Sequence, residues 1–172
     1  MNKIKVLPIF VIVITVLVIA SVAYASPAAS QNFAVPLSGG GEVPARDTNA
    51  RGVATFKLSE DGTELSYKLN VANIENVFAA HIHCGAVGVN GPVGVTLFAG
   101  APAGGRTDGT LAEGTITLPD SGNACGWADL AAVVAALNSG NTYVNVHTND
   151  GVPPPNTGPG DFPGGEIRGQ VK

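Results

Sequence analysis

From Glu64 to Val71 the chain alternates polar and apolar side chains without a break. Leu65, Tyr67, Leu69 and Val71 stand against Glu64, Ser66, Lys68 and Asn70. A period of two commits a segment to a β-strand with one face buried. The same period recurs along the chain. Val53–Leu58 puts Ala54, Phe56 and Leu58 on one face, with Thr55 and Lys57 on the other. Val77–His83 puts Phe78, Ala80 and Ile82 on one side, and Val77, Ala79, His81 and His83 on the other. Phe33–Leu37, Val93–Phe98, Thr110–Leu118, Thr142–His147 and Glu166–Val171 read as further short strands. Pro36 points to an edge position for the first of these, and Ile116 and Leu118 are expected to face inward.

Glycine and proline punctuate these runs. There are 23 Gly and 12 Pro in 172 residues, and only 13% of the chain is charged. That composition excludes a coiled coil or a long-helix protein. One helix is expected over Ala128–Asn138, where Leu130, Val133, Val134 and Leu137 fall on one stripe and Gly140 follows as a stop. The pattern predicts an all-β domain: a Greek-key-like β-sandwich of about seven to eight short antiparallel strands with one short helix.

The N-terminus bears on location. Lys3 and Lys5 precede an apolar run from Val6 to about Ala20, and Ala23-Tyr24-Ala25 supplies a small-x-small triplet. This layout reads as a secretory signal peptide over residues 1–25, or as an uncleaved membrane anchor of marginal length. Residues 26–31 form a linker, and the domain is expected over 32–172. Either reading places the domain outside the cytoplasm, secreted or tethered. Without the two leading lysines, 7 basic and 13 acidic residues remain. That balance argues against a nucleic-acid partner. Cys84 and Cys125 are the only cysteines. Outside the cytoplasm such a pair reads as a disulfide; the alternative makes Cys84, beside His83, a soft metal ligand.

All three histidines fall near strand ends: His81, His83 and His147. His81 and His83 share a face, and residues two apart on a strand sit roughly 6.5–7 Å apart. Two imidazoles at that spacing can converge on one ion. His147 from a neighbouring strand would complete a three-histidine site suited to copper or zinc. Glu166 and Asp150 are candidate supporting groups or fourth ligands. The competing reading is a polar cluster in which the histidines hydrogen-bond to Glu166, Asn145 and Thr148. Arg168 shares a face with Glu166 and is expected to pair with it structurally rather than catalytically. No Ser sits in a nucleophile-elbow context, and no glycine run opens a phosphate-binding βα turn.

Several motifs together carry a family resemblance. They are Phe33-x-x-x-Leu37-Ser-Gly-Gly-Gly-Glu42-Val43-Pro44, Gly52-x-Ala54-x-Phe56, Ala80-His81-Ile82-His83-x-Gly85, Gly91-Pro92-Val93, Tyr143-Val-Asn-Val-His147-Thr148 and Pro163-Gly-Gly-Glu166-Ile167-Arg168-Gly169-Gln170. In order and spacing they resemble the CHRD domain, over roughly Asn32 to Lys172. The resemblance implies an extracellular or cell-surface binding or structural module, with an extracellular protein or surface component as partner and no established catalysis. The His-x-His strand is also similar to the copper strand of copper–zinc superoxide dismutase, a Greek-key sandwich. That likeness implies a superoxide-dismutase-like fold and, at most, a mononuclear copper site; an immunoglobulin-like arrangement is the alternative for the sandwich.

Overall fold

The alternating segments do form strands, and those strands join into one continuous sheet. The computed structural model describes residues 31–172. Its strands are β1 (Asn32–Ser38), β2 (Arg51–Leu58), β3 (Leu65–Glu75), β4 (Val77–Cys84), β5 (Val93–Ala99), β6 (Arg106–Ile116), β7 (Thr142–Thr148) and β8 (Ile167–Gln170). One helix, α1 (Leu130–Asn138), lies between β6 and β7. The N-terminal segment read as a signal peptide or anchor, and the linker up to residue 30, fall outside the described residues. Among the described residues, no helix is long and apolar enough to cross a membrane.

Every pairing is antiparallel, in the order β5-β4-β7-β8-β1-β2-β3-β6. The end strands β5 and β6 come together, so the sheet curls into a nearly closed barrel. The Tyr67 hydroxyl on β3, the strand beside β6, donates to the Leu97 carbonyl on β5 at 2.8 Å across the remaining gap. β7 returns to lie beside β4, with β5 and then β6 beyond it. That is the Greek-key connection. The all-β expectation therefore holds, with the two layers of the sandwich hydrogen-bonded into a single sheet.

Alternation decides what fills the barrel. Ala54, Phe56 and Leu58, Leu65 and Leu69, Ala80 and Ile82, and Val144 and Val146 are all buried in one core. Apolar area removed from water is the main favourable contribution here, at roughly 25 cal/mol per Å2. The helix adds Leu130, Val133 and Leu137 to the same core. Its N-terminus is capped by Asp129, whose carboxylate accepts from the Ala132 N–H at 2.9 Å, and Gly140 follows its end at φ +71°.

Three local expectations are corrected. Leu118 lies beyond β6 and is 65% exposed, because the strand stops at Ile116. Pro36 sits on an interior strand, between β2 and β8. β1 pairs with β8 only at Ser38↔Arg168, so a residue lacking an N–H is tolerated at Pro36. The strand β6 also begins at Arg106, earlier than the Gly/Pro-rich stretch before it suggests.

Candidate metal centre

The sheet order brings the histidines together. β4 and β7 are neighbours, with Ala79↔His147, His81↔Asn145 and His83↔Tyr143 in register. His81 and His83 therefore share an outer face of β4 with Tyr143, Asn145 and His147 of β7. Their candidate ligand atoms all lie within 4.8 Å of one another, with His83 and His147 buried and His81 half-buried. Among the described residues, no carboxylate or cysteine joins them in that cluster.

Backbone carbonyls set the tautomers. His83 Nδ1 lies 2.9 Å from the Gly91 carbonyl, and His147 Nδ1 lies 2.9 Å from the Pro163 carbonyl. A carbonyl only accepts, so each Nδ1 carries the hydrogen and each Nε2 carries a lone pair. His83 Nε2 is buried with no hydrogen-bond partner. His147 Nε2 faces His81 Nδ1 at 3.1 Å, so His81 Nδ1–H donates to it. A shift of the His81 hydrogen to Nε2 would leave two lone pairs at that spacing. Two nitrogens held roughly 2.0–2.1 Å from one ion in near-tetrahedral geometry lie only slightly further apart. An imidazole anchored through its far N–H to a carbonyl is the usual arrangement of a metal-ligating histidine.

The electrostatics agree with neutral imidazoles. Burial is the main cause that pushes His81 and His147 down to about 4. For His81 the neighbouring His83 adds to the effect. For His147 the hydrogen bond to Pro163 opposes it. Burial likewise lowers His83, against the favourable pull of the Gly91 carbonyl. At neutral pH no imidazole proton would have to leave before a metal bound.

A stacked layer supports the centre. The His83 ring lies against Tyr143, with centroids 4.8 Å apart and planes 8° from parallel. The Arg168 guanidinium sits 3.3 Å over the same Tyr143 ring. Strand order places β7 between β4 and β8, so Tyr143 joins the two side chains. The Tyr143 hydroxyl accepts from the Gly91 N–H at 3.1 Å and lies 3.2 Å from the Gly91 carbonyl, to which it donates. A side chain at Gly91 would collide with the Cys84 carbonyl, which explains why the loop needs glycine there. Cys84 and Cys125 form a disulfide that fastens the end of the histidine strand. This excludes Cys84 as a free thiolate ligand. Trp127 packs onto β5 at Gly94, where an added Cβ would collide with the indole.

The expected polar cluster divides into separate groups. Glu166 is wholly buried but lies outside the histidine cluster and, among the described residues, forms no ion pair with Arg168. It accepts from Thr48 Oγ1 at 2.6 Å, Thr148 Oγ1 at 2.7 Å and the Gly160 N–H at 2.9 Å. It thereby pins the loops around 48 and 160 to the end of β7. The expected Glu166–Arg168 pair does not form. Arg168 donates instead to Asn90 Oδ1 at 2.9 Å and the Val89 carbonyl at 3.0 Å. Thr148 faces away from His147 by strand parity, toward Glu166. Asp150 accepts from the Val152 N–H within its own loop and stands outside the histidine cluster. Asn145 is on the histidine face, with its Oδ1 unpartnered.

Sequence reasoning passed over Tyr143 and Glu42 as site residues. Tyr143 was legible by parity, since it shares a face with His147. Glu42 lies in the glycine-rich turn far along the chain. It meets Asn145 only because a glycine at 165 leaves room for both side chains. Burial pushes the Glu42 carboxyl up to about 7, against the pull of Arg168 and Arg46.

These features define a disulfide-bonded Greek-key β-barrel domain with a three-histidine cluster on its outer face. The chain belongs to the CHRD domain family, whose model matches residues 33–171. CHRD domains are extracellular modules, and the disulfide accords with that setting. No curated protein and no solved structure matches the chain.

Proposed function

We propose that this chain is an extracytoplasmic CHRD module that holds one copper ion through His81, His83 and His147. One observation carries the reading. Three imidazoles converge within 4.8 Å, and the two fixed by carbonyls at Nδ1 turn their Nε2 lone pairs into the cluster, that of His83 unpartnered and that of His147 facing His81. Imidazole donors suit copper and zinc, and the Irving–Williams order puts copper ahead of zinc among divalent ions. His81 is half-buried, so an ion there keeps one side open to solvent or to a small ligand. The role is binding, in copper handling or redox protection outside the cell.

The test is a titration of the purified protein with copper and zinc under non-reducing conditions, read by elemental analysis. About one equivalent of copper is expected, lost in a His83→Ala, His147→Ala double variant that keeps its circular dichroism. Absence of copper above background at micromolar concentration, both as Cu(II) and as Cu(I) kept reduced by ascorbate, would overturn the reading and leave the histidines as a hydrogen-bonded cluster.

A further inference from the structure

We propose that the three-histidine centre selects copper as Cu(I) and holds Cu(II) more weakly. This rests on the reading that these histidines hold a metal, and it names the charge state that they would take.

The argument is one of charge. All three donors are neutral imidazoles, and among the described residues no carboxylate belongs to the cluster. Nothing in the ligand set offsets the second positive charge of a divalent ion. Its cost in a partly buried site is high.

Arg168 raises that cost. Its side chain is buried, at 2% exposure. Its partners are all neutral: Asn90 Oδ1, the Val89 carbonyl and Gln170 Oε1. Among the described residues it enters no ion pair; the pairs found are Lys68–Glu113 and Arg106–Asp108. Steps of 3.3 Å to the Tyr143 ring and 4.8 Å onward to His83 hold the guanidinium within about 8 Å of that imidazole. A buried positive charge at that distance sets a positive field at the His83 ring. The same field disfavours each added positive charge on an ion bound there.

The nearby acids offset this charge only in part. Glu42 is the acid on which Arg168 acts, and burial raises it to about 7, so that near neutral pH it is only partly ionised. Glu166 is turned toward Thr48, Thr148 and Gly160. Asp161 accepts from Thr157. Asp120 acts on His81 with the opposite sign, and its carboxylate accepts from the Thr96 N–H and hydroxyl.

Coordination number points the same way. Three protein nitrogens satisfy Cu(I), whereas Zn2+ and Cu2+ in protein sites take four or more ligands and would need further ones from solvent.

The experiment measures both affinities on the purified protein. Cu(I) is titrated anaerobically with ascorbate against bicinchoninate, and Cu(II) against glycine, for wild type, R168Q and R168K. Wild type is expected to bind Cu(I) at least tenfold more tightly than Cu(II). R168Q should narrow that ratio by on the order of tenfold, the effect of removing one charge at this range in a partly screened site. R168K, which keeps the charge, should preserve it. Equal affinities in wild type, or an unchanged ratio in folded R168Q, would overturn the assignment. The wild-type ratio decides alone if R168Q does not fold. Binding of neither ion would instead remove the copper reading itself.

Discussion

The imidazole of His83 and the phenol of Tyr143 lie in parallel planes 4.8 Å apart, and both rings bond to the same residue, Gly91. Their strands are adjacent and their positions are paired, so the stack is a cross-strand pair of the sheet. Gly91 thus fixes the tautomer of His83, while Tyr143 both stacks on that imidazole and holds the Gly91 loop.

Tyr143→Phe separates these two roles. It keeps the ring against His83 and removes the hydroxyl from Gly91. Loss of about 1 kcal/mol of stability is expected, the usual net value of a hydrogen bond. Copper should still bind at one equivalent, with affinity lowered by severalfold. Tyr143→Ala removes the ring as well and should cost about 3–5 kcal/mol. Urea unfolding followed at Trp127, alongside the copper titration, reads both effects.

Glu166 provides a test that distinguishes holding the fold from holding a metal. Three donors converge on its carboxylate: Thr48, Thr148 and the Gly160 N–H. Glu166→Ala leaves these buried donors unpaired, and the expected loss is on the order of 3 kcal/mol in urea unfolding. Glu166→Gln keeps the shape and one good acceptor, so its loss should be smaller. Folded Glu166→Gln should take up copper as wild type does, because Glu166 lies outside the histidine cluster. A drop in copper stoichiometry there would restore Glu166 as a ligand.

The fold was readable where alternation was strict. Ala54, Phe56 and Leu58, and Val144 and Val146, face the core as their spacing requires. The histidine face was readable for the same reason, since parity alone groups His81 with His83. Two things were not. Strand order is a tertiary outcome, and it alone sets Tyr143 beside His83 and Arg168 over Tyr143. The partners of Glu166 and Arg168 were misread because parity assigns a face but not a direction along it. Both side chains reach loops rather than each other, and a loop's path leaves no periodic trace in sequence.

The Cys84–Cys125 disulfide closes a loop spanning 41 positions. In the chain-entropy estimate such a crosslink stabilises by about 4 kcal/mol. A Cys84→Ser, Cys125→Ser variant should melt well below wild type by calorimetry. Its copper affinity should fall too, because Cys84 adjoins His83 and terminates the strand that holds it. Equal melting temperatures would show that the core alone fixes the end of β4.

Stability should respond to acid in two opposed ways. The histidines have folded values below their ordinary 6.5, with His81 and His147 at about 4. Between pH 6.5 and 4 the unfolded chain therefore binds protons that the folded chain refuses, and stability falls as pH falls. Glu42 has the reverse sign. Its folded value of about 7 stands above the ordinary 4.5. The folded chain holds a proton that the unfolded chain has released, so this contribution is lost as pH rises through 7. Glu42→Gln removes the ionisable group while keeping the side chain's shape. Its advantage over wild type should grow by about 2 kcal/mol between pH 5 and pH 8, measured by urea unfolding across that range. A constant difference would mean that Glu42 is ionised in the folded protein and held by Arg168 and Arg46. Acid loss below pH 6 should persist in Glu42→Gln and shrink in His81→Gln, which places the two effects on different residues.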